Sequence, residues 1–138
     1  LMERTNIVDV PAAVGASCVD LAVCDVSFTS VTTVLPAVME LLRPHGAFLT
    51  LVKPQFEAAR EDVGEGGVVR DQAVRDAAIE RVRLAFEEAG LAVACVCESP
   101  IRGHKGNVEH LRLGARGSAL PLAVLYHSRT DVRTRGLP

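Results

Sequence analysis

With 138 residues the chain is long enough for one domain with its own core, and 49% hydrophobic with 23% charged residues is ordinary for a soluble globular fold. A formal net charge of −2, with four Phe, one Tyr and no Trp, argues against a chain-wide basic and aromatic nucleic-acid platform. No apolar run reaches membrane-spanning length, and nothing near Leu1 has the make-up of a signal peptide.

The opening "LMERTN" reads as the end of an element, so the chain is expected to be a piece of something longer. The first strand is expected over Val19–Val26 (VDLAVCDV). A helix follows over Ser30–Arg43, where Val31, Val34, Leu35, Val38, Leu41 and Leu42 recur at helical spacing. Pro36 marks a kink or a late start in it, and Pro44 with Gly46 ends it. The second strand, Ala47–Val52, runs into "LVKPQFE", so Lys53 and then Pro54 close it. A glycine-containing, mixed-charge loop, Pro54–Arg70, leads to the clearest helix, Asp71–Ala89. Asp71 suits its N-cap and Gly90 its C-terminal cap; Val74, Ala78, Val82, Ala85 and Phe86 make one stripe, and Arg83 can pair with Glu87.

A third strand follows at Leu91–Cys97 (LAVACVC) and, after the turn "ESPIRGHKG", an alternating one at Asn107–Leu113, expected at an edge or antiparallel. The first three are continuous apolar runs, as in strands covered on both faces. Alternation of strands and helices predicts an α/β fold with a mainly parallel sheet and an antiparallel last strand. Residues 1–114 form this unit, and 115–138, with a short apolar piece at Ala119–Tyr126, form a tail. Cys18, Cys24, Cys95 and Cys97 lack the spacing of a zinc site, and Cys24, Cys95 and Cys97 lie in apolar runs. They read as core thiols of a reducing cytoplasm.

Open α/β sheets bind ligands at the carboxyl ends of their parallel strands. Asp25 falls there on the first strand and Lys53 on the second. If the two strands are neighbours, their tips lie about 5 Å apart. Pro54 biases Lys53 toward extended backbone, so the amine is aimed. A strand that returns antiparallel starts at the same edge and brings Glu109 to it. Taken singly, Asp25 is a turn former, Lys53 a solvated end and Glu109 an edge-strand charge. Together they suit proton management on a poor nucleophile such as a ribose 2′-hydroxyl, because a lysine withdrawn from water beside cations gives up its proton more readily.

Four stretches carry a resemblance: "ERTN" at 3–6, "CDVSFTSVTTVLPA" at 24–37, "LVKPQFEAAREDVGEGGVVRD" at 51–71 and "SPIRGHKGNVEHL" at 99–111. In order and spacing, over about residues 1–113, the chain resembles the hemolysin-A (TlyA-type) family of FtsJ-like ribosomal RNA 2′-O-methyltransferases. The resemblance implies a Rossmann-like fold that uses S-adenosyl-L-methionine and a lysine–aspartate–lysine–glutamate tetrad. It maps the aspartate onto Asp25, the second lysine onto Lys53 and the glutamate onto Glu109. Ser27 and Phe28 would line the methionine end of the cofactor or the target nucleotide, and Asn6 would lie where the chain passes the adenine. Arg102, His104 and Lys105, in the turn before Glu109, are candidate RNA contacts.

The family's first lysine, its glycine-rich cofactor loop and its S4-type RNA-binding domain would precede Leu1. The chain is therefore expected to be the C-terminal part of a methyltransferase acting on ribosomal RNA, with cytidine in 16S/23S rRNA as the implied target. A non-catalytic truncated module, hemolysin-like or RNA-associated, is the alternative.

Overall fold

The computed structural model describes residues 1–117. The expected tail piece Ala119–Tyr126 lies outside them. Four strands form one sheet: β1 (Val19–Cys24), β2 (Leu42–Val52), β3 (Leu91–Glu98) and β4 (His110–Arg116), in the spatial order β1-β2-β4-β3. β1 and β2 pair parallel, and β4 inserts antiparallel between β2 and β3. β1, β2 and β3 thus point one way and β4 alone runs back. The edge places are taken by β1 and β3, so β4 is antiparallel but central. No helix among the described residues is long and apolar enough to cross a membrane.

The helices are α1 (Val10–Val14), α2 (Val31–Leu41), the single turn α3 (Pro54–Glu57) and α4 (Gln72–Glu88). Ser30 caps α2 by accepting from the Thr32 amide, and the helix runs through Pro36. Pro36 lies on the exposed side, where the carbonyl it leaves unbonded can turn to water. The turn residues Pro44 and Gly46 do not end that helix: Leu42 already pairs with Val19, and an irregular segment follows before Ala47 pairs with Leu21. In α4, Asp71 accepts from the Ala73 amide at 2.8 Å and Gly90 takes φ +84° just past the end, as the sequence pattern predicts.

α2 and α4 cover one face of the sheet. Val31, Leu35, Val38 and Leu42 from the α2 side meet Val82 and Phe86 of α4 over Phe48 and Val52. Phe48 and Phe86 stack at 5.3 Å, and Gly114 leaves room for the latter, since a Cβ there would stand 2.8 Å from its ring. The opposite face is less covered, with Leu21 and Val23 of β1 exposed. Two-sided apolar composition therefore overstates coverage among the described residues. The thiols follow suit: Cys97 is exposed and the other three are only half-buried. β4 continues to Arg116, two residues past the expected boundary, and Arg116 donates to the carbonyls of Met39 and Leu42 at the end of α2.

Candidate active site

β1 ends at Cys24, so Asp25 is the first residue beyond it; β2 ends at Val52, so Lys53 is the first beyond its neighbour. The parallel register, Cys24 opposite Thr50, sets the two tips side by side. Lys53 Nζ lies 2.7 Å from Asp25 Oδ1 and donates to Ser27 Oγ at 2.9 Å. The lysine side chain is only 12% exposed while the aspartate is 67% exposed, so the ammonium sits inside and its counter-charge faces out. Lys53 is also the N-cap of α3, with Pro54 at the first helical position, which stops the strand and holds its direction.

Glu109 immediately precedes β4, and its carbonyl accepts from the Ser99 amide beyond β3. Its side chain makes no ion pair with Lys53 within 4 Å among the described residues. Instead, Gln55 Nε2 donates to Glu109 Oε1 at 3.1 Å. A Cβ on Gly103 would stand 2.0 Å from that same oxygen, so only glycine lets the carboxylate lie against the turn. Asp25, Ser27, Phe28, Lys53, Gln55 and Glu109 line one cleft of about 670 Å³, together with Phe56, Gly66, Gly67, His104 and Asn107.

Phe28 holds φ +61°, a conformation costing about 1–3 kcal/mol for a bulky residue, and is 91% exposed. Its ring meets Phe56 at 5.2 Å on the cleft wall. The other expected residues divide. His104 lines the cleft; Lys105, at φ +53°, lays its amine beside Gly66; Arg102 pairs with Glu98 at 3.0 Å outside it. Asn6 caps the short turn Ile7–Asp9 by accepting from the Val8 amide and is not among the residues lining the cleft.

Two buried side chains that organise the cleft carry no role in the sequence reading. Glu57 accepts from the Val31 amide at 2.7 Å, from Ser30 Oγ at 2.6 Å and from Arg81 at 3.2 Å, tying the turn after Lys53 to the start of α2. The signal for it was available: α2 has no acid in its own first turn, so its N-terminal dipole is balanced from elsewhere. Asn107, 2% exposed, donates to the carbonyls of Gly67 and His104 and accepts from the Val69 amide. It joins the glycine loop to the turn before Glu109. Loop–loop pairing at a separation of about forty residues leaves no periodic trace.

Three parallel strand ends, a returning antiparallel strand and an acid–base cleft on that rim define a Rossmann-like methyltransferase fold. A Burkholderia thailandensis 1,6-didemethyltoxoflavin-N1-methyltransferase, solved with S-adenosylhomocysteine, shares the fold alone. Its TM-score is 0.50 at 18% identity, over 75% of this chain and 46% of that one. The model of the FtsJ-like methyltransferase family matches residues 1–115, and the chain belongs to that family. It is 41% identical over 111 residues to the Mycobacterium tuberculosis 16S/23S rRNA (cytidine-2′-O)-methyltransferase TlyA. That match covers 80% of this chain and 41% of the relative, so the chain spans about two fifths of the relative's length. A Lactococcus lactis protein whose crystal structure carries the hemolysin name superposes with a TM-score of 0.79 at 38% identity, over 84% of this chain and 56% of that one.

Proposed function

We propose that in the full-length protein this cleft carries out S-adenosylmethionine-dependent methylation of a ribose 2′-hydroxyl in ribosomal RNA, with cytidine as the target nucleoside. The observation that carries the reading is the Asp25–Lys53 pair at a cleft also lined by Glu109, in a chain of the FtsJ-like family. An ammonium has three donors. Asp25 and Ser27 take two of them, which leaves one for the hydroxyl oxygen and fixes its place. As the new O–C bond forms, the hydroxyl proton has to leave, and the Glu109 carboxylate, which lines the same cleft, is the acceptor.

The cofactor suits what is here. A carboxylate two-thirds exposed beside an exposed aromatic ring attracts a sulfonium cation, so Asp25, Ser27 and Phe28 are the residues that would hold it. When bound, S-adenosylmethionine supplies an electrophilic methyl carbon whose bond to sulfur breaks with the electron pair going to sulfur. The Phe28–Phe56 wall offers a face for a base, and stacking of that kind contributes about 1–3 kcal/mol. Arg102, His104 and Lys105 would contact phosphate in front of the cleft, Arg102 by leaving an exposed pair with Glu98 that stabilises little. An S4-type domain in the full-length protein would add RNA affinity, and a ribosomal substrate would place the protein in the cytoplasm.

The test is nucleoside mass spectrometry of ribosomal RNA treated with the full-length protein and cofactor. A 2′-O-methylcytidine that depends on both supports the reading. Methylation on a base overturns the ribose assignment, and no methylation at all overturns the reading and favours a non-catalytic module.

A further inference from the structure

Among the described residues Glu109 has one side-chain hydrogen-bond donor, and it is Gln55, two positions after Lys53 and 54 before Glu109. Lys53 and Glu109 are thus joined through the one-turn helix α3. An ionised carboxylate only accepts, so the Gln55 amide must turn its N–H toward Glu109. That choice leaves Gln55 Oε1 buried without a donor. A buried orphan acceptor costs about 1–3 kcal/mol and needs a reason. The other side of Glu109 Oε1 is closed by the α-carbon of Gly103. One carboxylate oxygen is therefore clamped between an amide and a glycine, while Oε2 makes no hydrogen bond to any described residue.

We infer that Gln55 is the positioning residue of Glu109, which it holds so that the free carboxylate oxygen meets the ligand in the cleft. The inference rests on the methyl-transfer reading for its kinetic consequence but not for its geometry. Gln55 touches Glu109 and acts through it. Such coupling needs the reach of glutamine, because α3 ends at Glu57 and brings no other amide to that wall.

Gln55→Met keeps length and removes the donor; Gln55→Glu keeps shape and sets an acceptor against an acceptor. In the full-length protein Gln55→Met should lower kcat about 10–100-fold with the cofactor KM unchanged, as expected when a reacting group is displaced by about 1 Å. Gln55→Glu should in addition move the acidic limb of the pH–rate profile upward, which a merely structural role would not do. In both variants, kcat within about twofold of wild type and an unmoved profile would overturn the inference.

A second readout needs no activity. In the full-length protein, one Gln55 side-chain amide proton should exchange slowly and resonate downfield, and Glu109→Ala should abolish both properties. An amide pair that ignores Glu109→Ala overturns the clamp. A wild-type protein that transfers no methyl group, with the amide signature intact, overturns the methyl-transfer reading and leaves the clamp standing.

Discussion

Single side chains in this chain sit in surroundings drawn from far along the sequence, and two of them report on stability directly. Glu57 collects the Val31 amide, Ser30 and Arg81 in a site where it is 2% exposed. Arg81 is half-exposed, so the weight falls on the first two bonds. Glu57→Ala should cost about 2–3 kcal/mol in urea unfolding, and Glu57→Gln clearly less, since its oxygen still accepts from Val31. Equal losses would mean that the cap is not what Glu57 provides. His110 behaves oppositely to an anchored cation. Burial pushes its imidazole below the ordinary value near 6.5, with Arg75 and Arg112 adding to this and Glu98 and Asp76 opposing it. The fold holds the neutral ring, so its contribution is fully present above the unfolded value and is lost as pH falls from there toward the depressed folded value. The urea midpoint should drop more between about pH 7.5 and about pH 5.5 in wild type than in His110→Gln. Identical drops would contradict that assignment.

At the scale of elements, the cleft is made by strand ends and by two loops that one asparagine joins. Strand ends were legible: an apolar run closed by Lys-Pro, and another closed by Asp25, are local statements of where pairing stops. Placing β4 between β2 and β3 was not, because an alternating strand suits an edge as well as an antiparallel place within the sheet. The Gln55–Glu109 and Asn107–Gly67 contacts were invisible for the same reason, since a hydrogen bond across 40 or more residues obeys no period.

Asn107→Ala strips partners from the Val69 amide and from the carbonyls of Gly67 and His104. Amide exchange should therefore speed up over residues 64–70 and 101–106 together, with α4 unaffected; faster exchange in only one loop would deny the joint. The turn should also set the salt dependence of RNA binding. Neutralising Arg102 and Lys105 should reduce the salt slope by about one unit for each phosphate that no longer meets a cation, and an unchanged slope would remove those residues from the RNA path.

For the molecule as a whole, the sheet direction, the family and the cleft rim could be read from residues 24–37, 51–71 and 99–111, where strand punctuation and motif coincide. Coverage of the sheet could not, because apolar composition states what a face can bury and not what lies against it; Leu21 and Val23 are the instance. The proposed ribose methylation rests on the rim that Asp25, Lys53 and Glu109 share. Lys53→Ala in the full-length protein tests it most directly, with methyl transfer to ribosomal RNA and calorimetric cofactor binding measured on the same preparation. Lys53 is assigned to the hydroxyl oxygen, an interaction strengthened in the transition state, so turnover should fall by about 100-fold or more while cofactor affinity stays within about threefold. Turnover near wild type, or a loss of cofactor affinity with turnover preserved, would deny Lys53 that role.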